Sequence, residues 1–195
     1  MEIVPYPHPA LRWKSRPVTR IDVAMKRTVR RMFELMYEAK GVGLAANQVA
    51  LPFRFFIINL SSDPELTEEE LVFINPQIVH RTGSVEGEEG CLSVPQLYGQ
   101  VTRAEQIVVD AFDLEGQGFQ YELDELPGRV VQHETDHLDG VMFFDRMSDA
   151  GRKQLEPQLD EFETIFRHRQ ATGECLSDEA LRGLLEELQE QSVPG

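Results

Sequence analysis

The stretch "QHETDHLDG", residues 132–140, carries two histidines four positions apart, with a glutamate directly after the first. On a helix, positions i and i+4 lie on the same face, so His133 and His137 can reach one metal ion while Glu134 stands beside them. This is the HExxH arrangement, in which two imidazoles bind a metal and the glutamate handles the proton of a nearby water molecule. The motif therefore predicts a hydrolytic metal centre on a helix.

The residues around the motif predict a helix over 126–139 that ends at Gly140. Val130, Val131 and Leu138 indicate that this helix is buried. The competing interpretation is two partly buried histidines that only form hydrogen bonds. Burying His, Glu, His and Asp together without a metal or partners would cost roughly 2–7 kcal/mol per unpaired polar group, which favours the metal.

Outward from this helix, the pattern of apolar residues predicts a second helix over 22–40, with Asp22 as its N-cap. Strands are predicted at 53–59, 71–75, 78–83, 106–112 and 118–123, with a hairpin turn at 113–118. A further helix is predicted from Ser148 to about Arg169, and an amphipathic segment follows the linker at 171–174. Short connections between the strands favour antiparallel pairing.

The predicted fold class is therefore α+β. It consists of an N-terminal helix, antiparallel sheets around a central helix that carries the HExxH motif, and a C-terminal helix followed by an acidic tail, helical or disordered. We predict a catalytic domain over residues 1–170 and an acidic extension over residues 171–195.

Composition excludes several classes of protein. The chain has 195 residues and a net charge of −15, and this acidity argues against DNA as a partner because phosphate binding needs a basic face. No apolar run approaches the ~18 residues of a membrane span, and the N-terminus lacks the apolar core of a secretory signal. Two cysteines are too few for a disulfide scaffold, so the expected location is the cytoplasm.

Two histidines leave the metal site incomplete, because catalytic sites usually have three protein ligands and one open position. A zinc endopeptidase would take its third ligand from downstream, where Glu156, Asp160 and Glu163 are candidates. The other candidate is Cys91, upstream in "EEGCLSVP" (88–95). Spacing alone does not choose between the two schemes.

The surroundings of Cys91 favour the second scheme. Gly90, Ser93 and two glutamates are unusual neighbours for a packed core cysteine, and the acids oppose the low pKa that a nucleophilic thiolate needs. A metal ion would deprotonate the thiol outright. Cys91, His133 and His137 are therefore the preferred ligand set.

Three motifs, "GVGLAANQ" (41–48), "EGCLS" (89–93) and "QHETDHLDG" (132–140), resemble the three signature motifs of the peptide deformylase family, in the same order. The resemblance begins at "PALRWKSRPV" (9–18) and extends to about Phe144. It implies a hydrolase that removes the formyl group from the N-terminal N-formylmethionine of new proteins and releases formate, in the bacterial cytoplasm.

The same resemblance implies a role for each motif residue. Cys91, His133 and His137 would bind one Fe²⁺ per chain, with Zn²⁺, Ni²⁺ or Co²⁺ able to substitute. A metal-activated water would attack the formyl carbon while Glu134 serves as general base and then acid. The Gln48 side chain and the Leu92 backbone N–H would stabilise the oxyanion.

Further expectations concern the substrate and partners. Gly41, Val42 and Gly43 would lie along the bound peptide, and Glu89 would pair with Arg103 to fix the cysteine loop. The partners would be N-formylmethionyl nascent peptides and, transiently, the ribosome, with "FRHRQ" (166–170) as the better cationic candidate because the tail is acidic. The remaining alternative is a metal-stabilised binding module without catalysis, which would need neither Glu134 nor Gln48.

Overall fold

A computed structural model describes residues 1–191 of the chain. It contains four α-helices and seven β-strands among the described residues. In chain order these are α1 (Val23–Glu38), β1 (Gly43–Ala45), β2 (Phe55–Ile58), β3 (Leu71–Thr82), β4 (Val85–Cys91), β5 (Val94–Arg103), β6 (Gln106–Phe112), β7 (Gly118–Asp124), α2 (Glu125–Leu138), α3 (Asp149–Ala171) and α4 (Asp178–Gln189).

The strands form two antiparallel sheets. Five of them pair in the order β1-β2-β3-β6-β7, while β4 and β5 form a separate two-stranded sheet. Helix α2 contacts every strand of the larger sheet. The predicted α+β class with antiparallel sheets is confirmed.

The larger sheet is covered on both faces near β2. Phe55 and Ile57 pack into the cluster that contains the apolar face of α1, whereas Phe56 and Ile58 pack into the cluster that contains Val131 of α2. Successive side chains of a strand point to opposite faces, so a strand buried on both sides must be apolar throughout. This explains why "FRFFIIN" shows no polar alternation.

Several predicted boundaries are corrected. The strands predicted at 71–75 and 78–83 form one strand, β3, with an irregular register between Ile74 and Gln77. Strands β1, β4 and β5 were not predicted. Strand β4 consists largely of glycines and glutamates, so its pairing with β5 holds it in place rather than strand propensity. Helix α2 begins at Glu125, so Pro127 lies in the first turn, where a backbone N–H has no helical partner to lose.

The two helices predicted after residue 148 are confirmed. Helix α3 is capped by Ser148 and includes Pro157, and the amphipathic segment forms α4, capped by Ser177. Leu185 of α4 is buried, and the helix contacts the 3₁₀ turn Pro9–Arg12. The last four residues of the predicted tail, 192–195, lie outside the described part, and the division at residue 170 stays a prediction. Among the described residues, no helix has the length and apolar character needed to cross a bilayer.

Candidate active site

The end of β4 and the buried face of α2 bring together Cys91, His133 and His137. Cys91 Sγ lies 3.3 Å from His137 Nε2, and the Nε2 atoms of the two histidines are 3.2 Å apart. One ligand atom from each of the three residues lies within 4.8 Å of the others, which is close enough for a shared ion. The arrangement supplies three of the four positions of a tetrahedral site.

The chemistry of these residues fits a divalent first-row metal. His133 Nδ1 lies 2.9 Å from Glu89 Oε2, so a proton on Nδ1 would leave the Nε2 lone pair free for an ion. Burial lowers the pKa of His137 and keeps that imidazole in the neutral, ligating form. Burial also acts to lower the pKa of His133, but hydrogen bonds to Cys91 and Glu89 outweigh it and raise the pKa to about 10. A metal bound at His133 must therefore displace a proton.

Glu134 is a buried carboxylate beside this group. Burial raises the pKa of Glu134 to about 7, and its Oε2 atom has no hydrogen-bond partner among the described residues. A carboxyl group that titrates near neutrality can both accept and donate a proton. Gly43 makes room for it, because a Cβ on Gly43 would lie 2.5 Å from Glu134 Oε1.

Gln48 is held with its amide N–H₂ turned toward the cysteine. It lies in the 3₁₀ turn Ala46–Val49, and its Oε1 accepts a hydrogen bond from the Ala45 N–H at 2.9 Å. Its Nε2 atom is 3.3 Å from Cys91 Sγ and 3.4 Å from Ser93 Oγ. The Val4 N–H donates to the Gln48 carbonyl at 2.8 Å and anchors the turn from behind.

The remaining predicted residues lie along the same cleft, which has a volume of about 670 Å³. Its walls include Gly41, Val42, Gly43 and Leu92. Gly41 packs against the side chain of Leu92, since a Cβ there would lie 2.7 Å from Leu92 Cδ1. The structure thus places all nine predicted site residues together. His137 alone is not part of the cleft wall, because it is fully buried behind it.

The downstream ligand candidates lie elsewhere. Glu156, Asp160 and Glu163 belong to α3, and none of them joins the group of potential metal ligands found in residues 1–191. Glu163 instead accepts a hydrogen bond from the Tyr6 hydroxyl at 2.9 Å. The endopeptidase scheme therefore lacks its third ligand in this structure.

A buried network of ion pairs between side chains lies behind the group Cys91, His133 and His137. Glu89 accepts two hydrogen bonds from Arg103, each 2.8 Å, and one from Arg129 at 2.9 Å. Asp136 accepts from Arg103 and, at 2.7 Å, from Arg146. Burial alone would raise the pKa of Glu89, but hydrogen bonds from Arg103 and His133 hold it below its ordinary value.

Only the Glu89–Arg103 pair of this network was predicted, and it is present. Arg129 and Asp136 were missed as parts of the site. A signal for them exists in the spacing, because they lie four residues before and three residues after His133 and so share its side of the helix. Arg146 lies beyond α2, in a segment without a pattern, and no such signal points to it.

Comparison with known proteins identifies the family of the chain. The family model described as polypeptide deformylase matches residues 1–153. A peptide deformylase from Rhodopirellula baltica is 47% identical over 180 residues, covering 92% of this chain and 89% of that protein. Peptide deformylase 1B of Arabidopsis thaliana is 38% identical over 170 residues, or 87% of this chain and 62% of that protein.

Solved structures give the same result. The crystal structure of a plant peptide deformylase superposes with a TM-score of 0.83 at 38% identity, covering 89% of this chain and 93% of that one. The peptide deformylase of Thermus thermophilus superposes with a TM-score of 0.76 at 43% identity, covering 84% and 97% of the two chains. With the family model and these relatives covering most of its length, the chain belongs to the polypeptide deformylase family.

Proposed function

We propose that this chain hydrolyses the formyl group from the N-terminal N-formylmethionine of newly made proteins, releasing formate and a free α-amino group. The observation that supports this is the convergence of the Cys91, His133 and His137 group with Glu134 and Gln48 in one cleft. A structural metal site would need neither a buried carboxylate with a free oxygen nor an amide donor beside the thiolate.

The metal would be held by Cys91, His133 and His137. When bound, it supplies a Lewis acid that lowers the pKa of a water molecule and polarises the formyl oxygen. One thiolate and two imidazoles suit Fe²⁺, the ion we propose, and also accept Zn²⁺, Ni²⁺ or Co²⁺. The stoichiometry would be one ion per chain.

Glu134 would carry the proton. Its carboxylate first accepts a proton from the attacking water as oxygen adds to the formyl carbon. The same proton then passes to the departing nitrogen as the C–N bond breaks, so the carboxylate returns to its starting state. A pKa near 7 suits both halves of this cycle, because neither transfer is strongly uphill at neutral pH.

The oxyanion that develops on the formyl oxygen needs hydrogen-bond donors. The Gln48 amide is already turned toward Cys91 by the hydrogen bond that its Oε1 accepts from Ala45. The backbone N–H of Leu92, directly after the proposed ligand Cys91, is the second proposed donor. Loss of one such donor typically costs about 3–4 kcal/mol of transition-state stabilisation. Gly41, Val42 and Gly43 would contact the peptide along the cleft wall.

The cellular setting is part of the proposal. We propose that the enzyme acts in the bacterial cytoplasm on nascent chains, with a transient ribosome contact and without DNA or membrane partners. For the ribosome contact, "FRHRQ" offers less free charge than its sequence suggests, since Arg167 pairs with Asp178 at 2.7 Å and Arg169 lies 3.9 Å from Glu174.

Substitution of Glu134 by alanine tests the proposed function. We expect formate release from formyl-Met-Ala-Ser to fall about 10²–10⁴-fold, the usual contribution of general acid–base catalysis. Metal content should stay near one ion per chain, as measured by elemental analysis, because Glu134 is not among the proposed ligands. Undiminished turnover in Glu134→Ala would contradict the mechanism.

Substitution of Cys91 by alanine separates this proposal from the endopeptidase alternative. We expect Cys91→Ala to lose both metal and formate release. A Cys91→Ala protein that cleaves internal peptide bonds would instead support a HExxH endopeptidase with another third ligand.

A further inference from the structure

Asn47 is a buried polar residue that directly precedes Gln48 in the 3₁₀ turn Ala46–Val49. Only 1% of its surface is exposed, and it is not one of the residues that line the cleft. No step of the proposed hydrolysis uses it. An amide buried this deeply needs hydrogen-bond partners, and the identity of those partners indicates what Asn47 does.

The side-chain amide of Asn47 is paired with the N-terminal segment of the chain. Its Nδ2 atom donates to the Ala10 carbonyl at 3.1 Å and to the Trp13 carbonyl at 2.6 Å. Its Oδ1 atom accepts a hydrogen bond from the Ser15 hydroxyl. Both amide protons and the amide oxygen are therefore used. A flipped amide would turn its oxygen toward two carbonyls, so these partners fix one orientation.

Ser15 connects Asn47 to the helix that carries the HExxH motif. While the Ser15 hydroxyl donates to Asn47, the Ser15 backbone N–H donates to the carbonyl of Leu138, the last residue of α2, at 2.9 Å. Helix α2 also carries His133 and Glu134. Two hydrogen bonds through one residue therefore link the turn that bears Gln48 to the helix that bears the proposed base.

The Gln48 side chain depends on this turn for its direction. Its Oε1 atom accepts from the N–H of Ala45, a residue directly before the turn, so this bond orients the amide relative to the turn and not relative to α2. The 3.4 Å contact of Nε2 with Ser93 Oγ is longer than the roughly 2.7–3.2 Å usual for an N–H···O hydrogen bond. A displaced turn would therefore carry the Gln48 amide with it.

We propose that Asn47 is a positioning residue, which holds the Ala46–Val49 turn in place relative to α2 and so aims the Gln48 amide at the developing oxyanion. This inference rests on the proposed function, in which Gln48 donates to that oxyanion. A displacement of about 1 Å at a catalytic group can cost up to roughly 10²-fold in rate. Because the oxyanion develops only in the transition state, loss of the aim lowers kcat and leaves KM nearly unchanged.

The test is a double-mutant cycle on formate release from formyl-Met-Ala-Ser by the metal-loaded enzyme. It compares the wild type, Asn47→Ala, Gln48→Ala and the double variant. We expect Gln48→Ala to lower kcat about 10²–10³-fold, the usual effect of losing one oxyanion donor. Asn47→Ala should lower kcat about tenfold and change KM less than about twofold. The double variant should match Gln48→Ala within about twofold, because no donor is left for Asn47 to aim.

Two further variants complete the experiment. Ser15→Ala removes only the hydroxyl that links Asn47 to α2 and serves if Asn47→Ala does not fold. We expect it to lower kcat about threefold, as for one ordinary hydrogen bond, and to have no effect beside Gln48→Ala. Asn75→Gly is the matched control, since Asn75 makes two 2.8 Å hydrogen bonds from β3 to the backbone of Val18. Glycine accepts the left-handed φ of 52° at Asn75, and kcat should stay at the wild-type value.

The outcomes separate this inference from the proposed function. If Asn47→Ala and Ser15→Ala lower kcat by the same factor with and without Gln48, then Asn47 only stabilises the fold and the assignment is overturned. Wild-type kcat in Asn47→Ala, or in Gln48→Ala, overturns it as well, although an enzyme that releases formate keeps its proposed function. If the wild-type enzyme releases no formate from formyl-Met-Ala-Ser, the proposed function fails, and this inference fails with it.

Discussion

The carboxylate of Glu134 occupies the space in which any side chain at position 43 would stand. Gly43 has an ordinary extended backbone in β1, so its missing side chain is explained by this close approach and not by an unusual backbone conformation. The same holds for Gly41, which packs against Leu92, while Lys40 is the residue that takes the left-handed conformation after α1. Two glycines of the first motif therefore serve contacts with the other two motifs.

Substitution of Gly43 by alanine should displace the Glu134 carboxylate. We expect kcat for formate release to fall about 10²-fold, because general base catalysis depends on hydrogen-bond reach of the attacking water. Metal content, measured by elemental analysis, should stay unchanged, since the atoms nearest to the added Cβ all belong to Glu134 and not to the proposed ligands Cys91, His133 and His137.

A matched control for this variant is Gly118→Ala. A Cβ at Gly118 would lie 3.5 Å from the ring of Phe112, which is an ordinary contact. We expect the control to keep wild-type activity. Equal activity of Gly43→Ala and the wild type would show that Glu134 can leave its observed position without loss.

Helix α2 packs into the core on one side and carries the polar residues of the site on the other. Helix α2 turns Val131 and Leu138 into the core, whereas His133, Glu134 and Arg129 face the cleft and the ion network. Burying so many polar groups on one helix is tolerated because nearly all of them are paired, with Glu134 Oε2 and His137 Nδ1 as the exceptions among the described residues. Both atoms belong to residues of the candidate site, although it is the other ring nitrogen of His137, Nε2, that faces Cys91 Sγ.

Helix α4 offers a test at the level of one element. The side chain of Leu185 is buried, with 2% of its surface exposed, whereas the neighbouring Leu184 is 47% exposed. We expect Leu185→Ala to destabilise the docked helix by about 2–4 kcal/mol, up to the limit set by the free energy of docking α4. Amide hydrogen exchange within residues 178–189 measures this local opening.

The neighbouring leucine is the control for that experiment. We expect Leu184→Ala to change stability by less than about 0.5 kcal/mol, as is usual for exposed positions. Equal exchange rates in both variants would mean that Leu185 does not hold α4 on the molecule.

At the scale of the whole molecule, chain topology brings three distant motifs to one cleft. The first motif supplies β1 at one edge of the larger sheet, the second ends β4 of the smaller sheet, and the third lies on α2. The N-terminal segment ties the first two together, because the Val4 N–H donates to the Gln48 carbonyl and the Tyr6 N–H donates to the Ser93 carbonyl.

His8 makes the stability of this assembly depend on pH. It caps the turn Pro9–Arg12 through Nδ1, which accepts from the Ala10 N–H at 3.1 Å, and its ring lies 6.1 Å from that of Phe166. Burial lowers the pKa of His8 to about 4 in the folded protein. In the unfolded chain the pKa of His8 is near 6.5, so as the pH falls His8 binds a proton in the unfolded state before it does so in the folded state.

The folded protein loses stability as the pH falls. Stability from neutral His8 is complete above about pH 6.5 and is lost as the pH falls toward 4, a change of about 3 kcal/mol. In His8→Asn the amide oxygen can keep the cap, and we expect a flatter curve of unfolding free energy against pH, measured by urea denaturation. Identical slopes for His8→Asn and the wild type would contradict the assignment.

Much of this molecule was determined by sequence patterns alone. Periodicity predicted α1, α2, α3 and α4, and an uninterrupted apolar run predicted β2, because burial imposes those patterns directly on the chain. The histidine spacing and the setting of Cys91 predicted the metal group, since a helix fixes which side chains share a face.

Tertiary structure alone decided the rest. Strands β4 and β5 exist because each pairs with the other, and a segment of glutamates and glycines has no strand propensity of its own to signal it. The partners of Glu89 include Arg103 and Arg129, and residues so far apart in sequence meet only when the sheets and α2 pack. The reasons for Gly43 and Gly87 are likewise close approaches to Glu134 and Arg129, and a distance between elements leaves no periodic pattern in the chain.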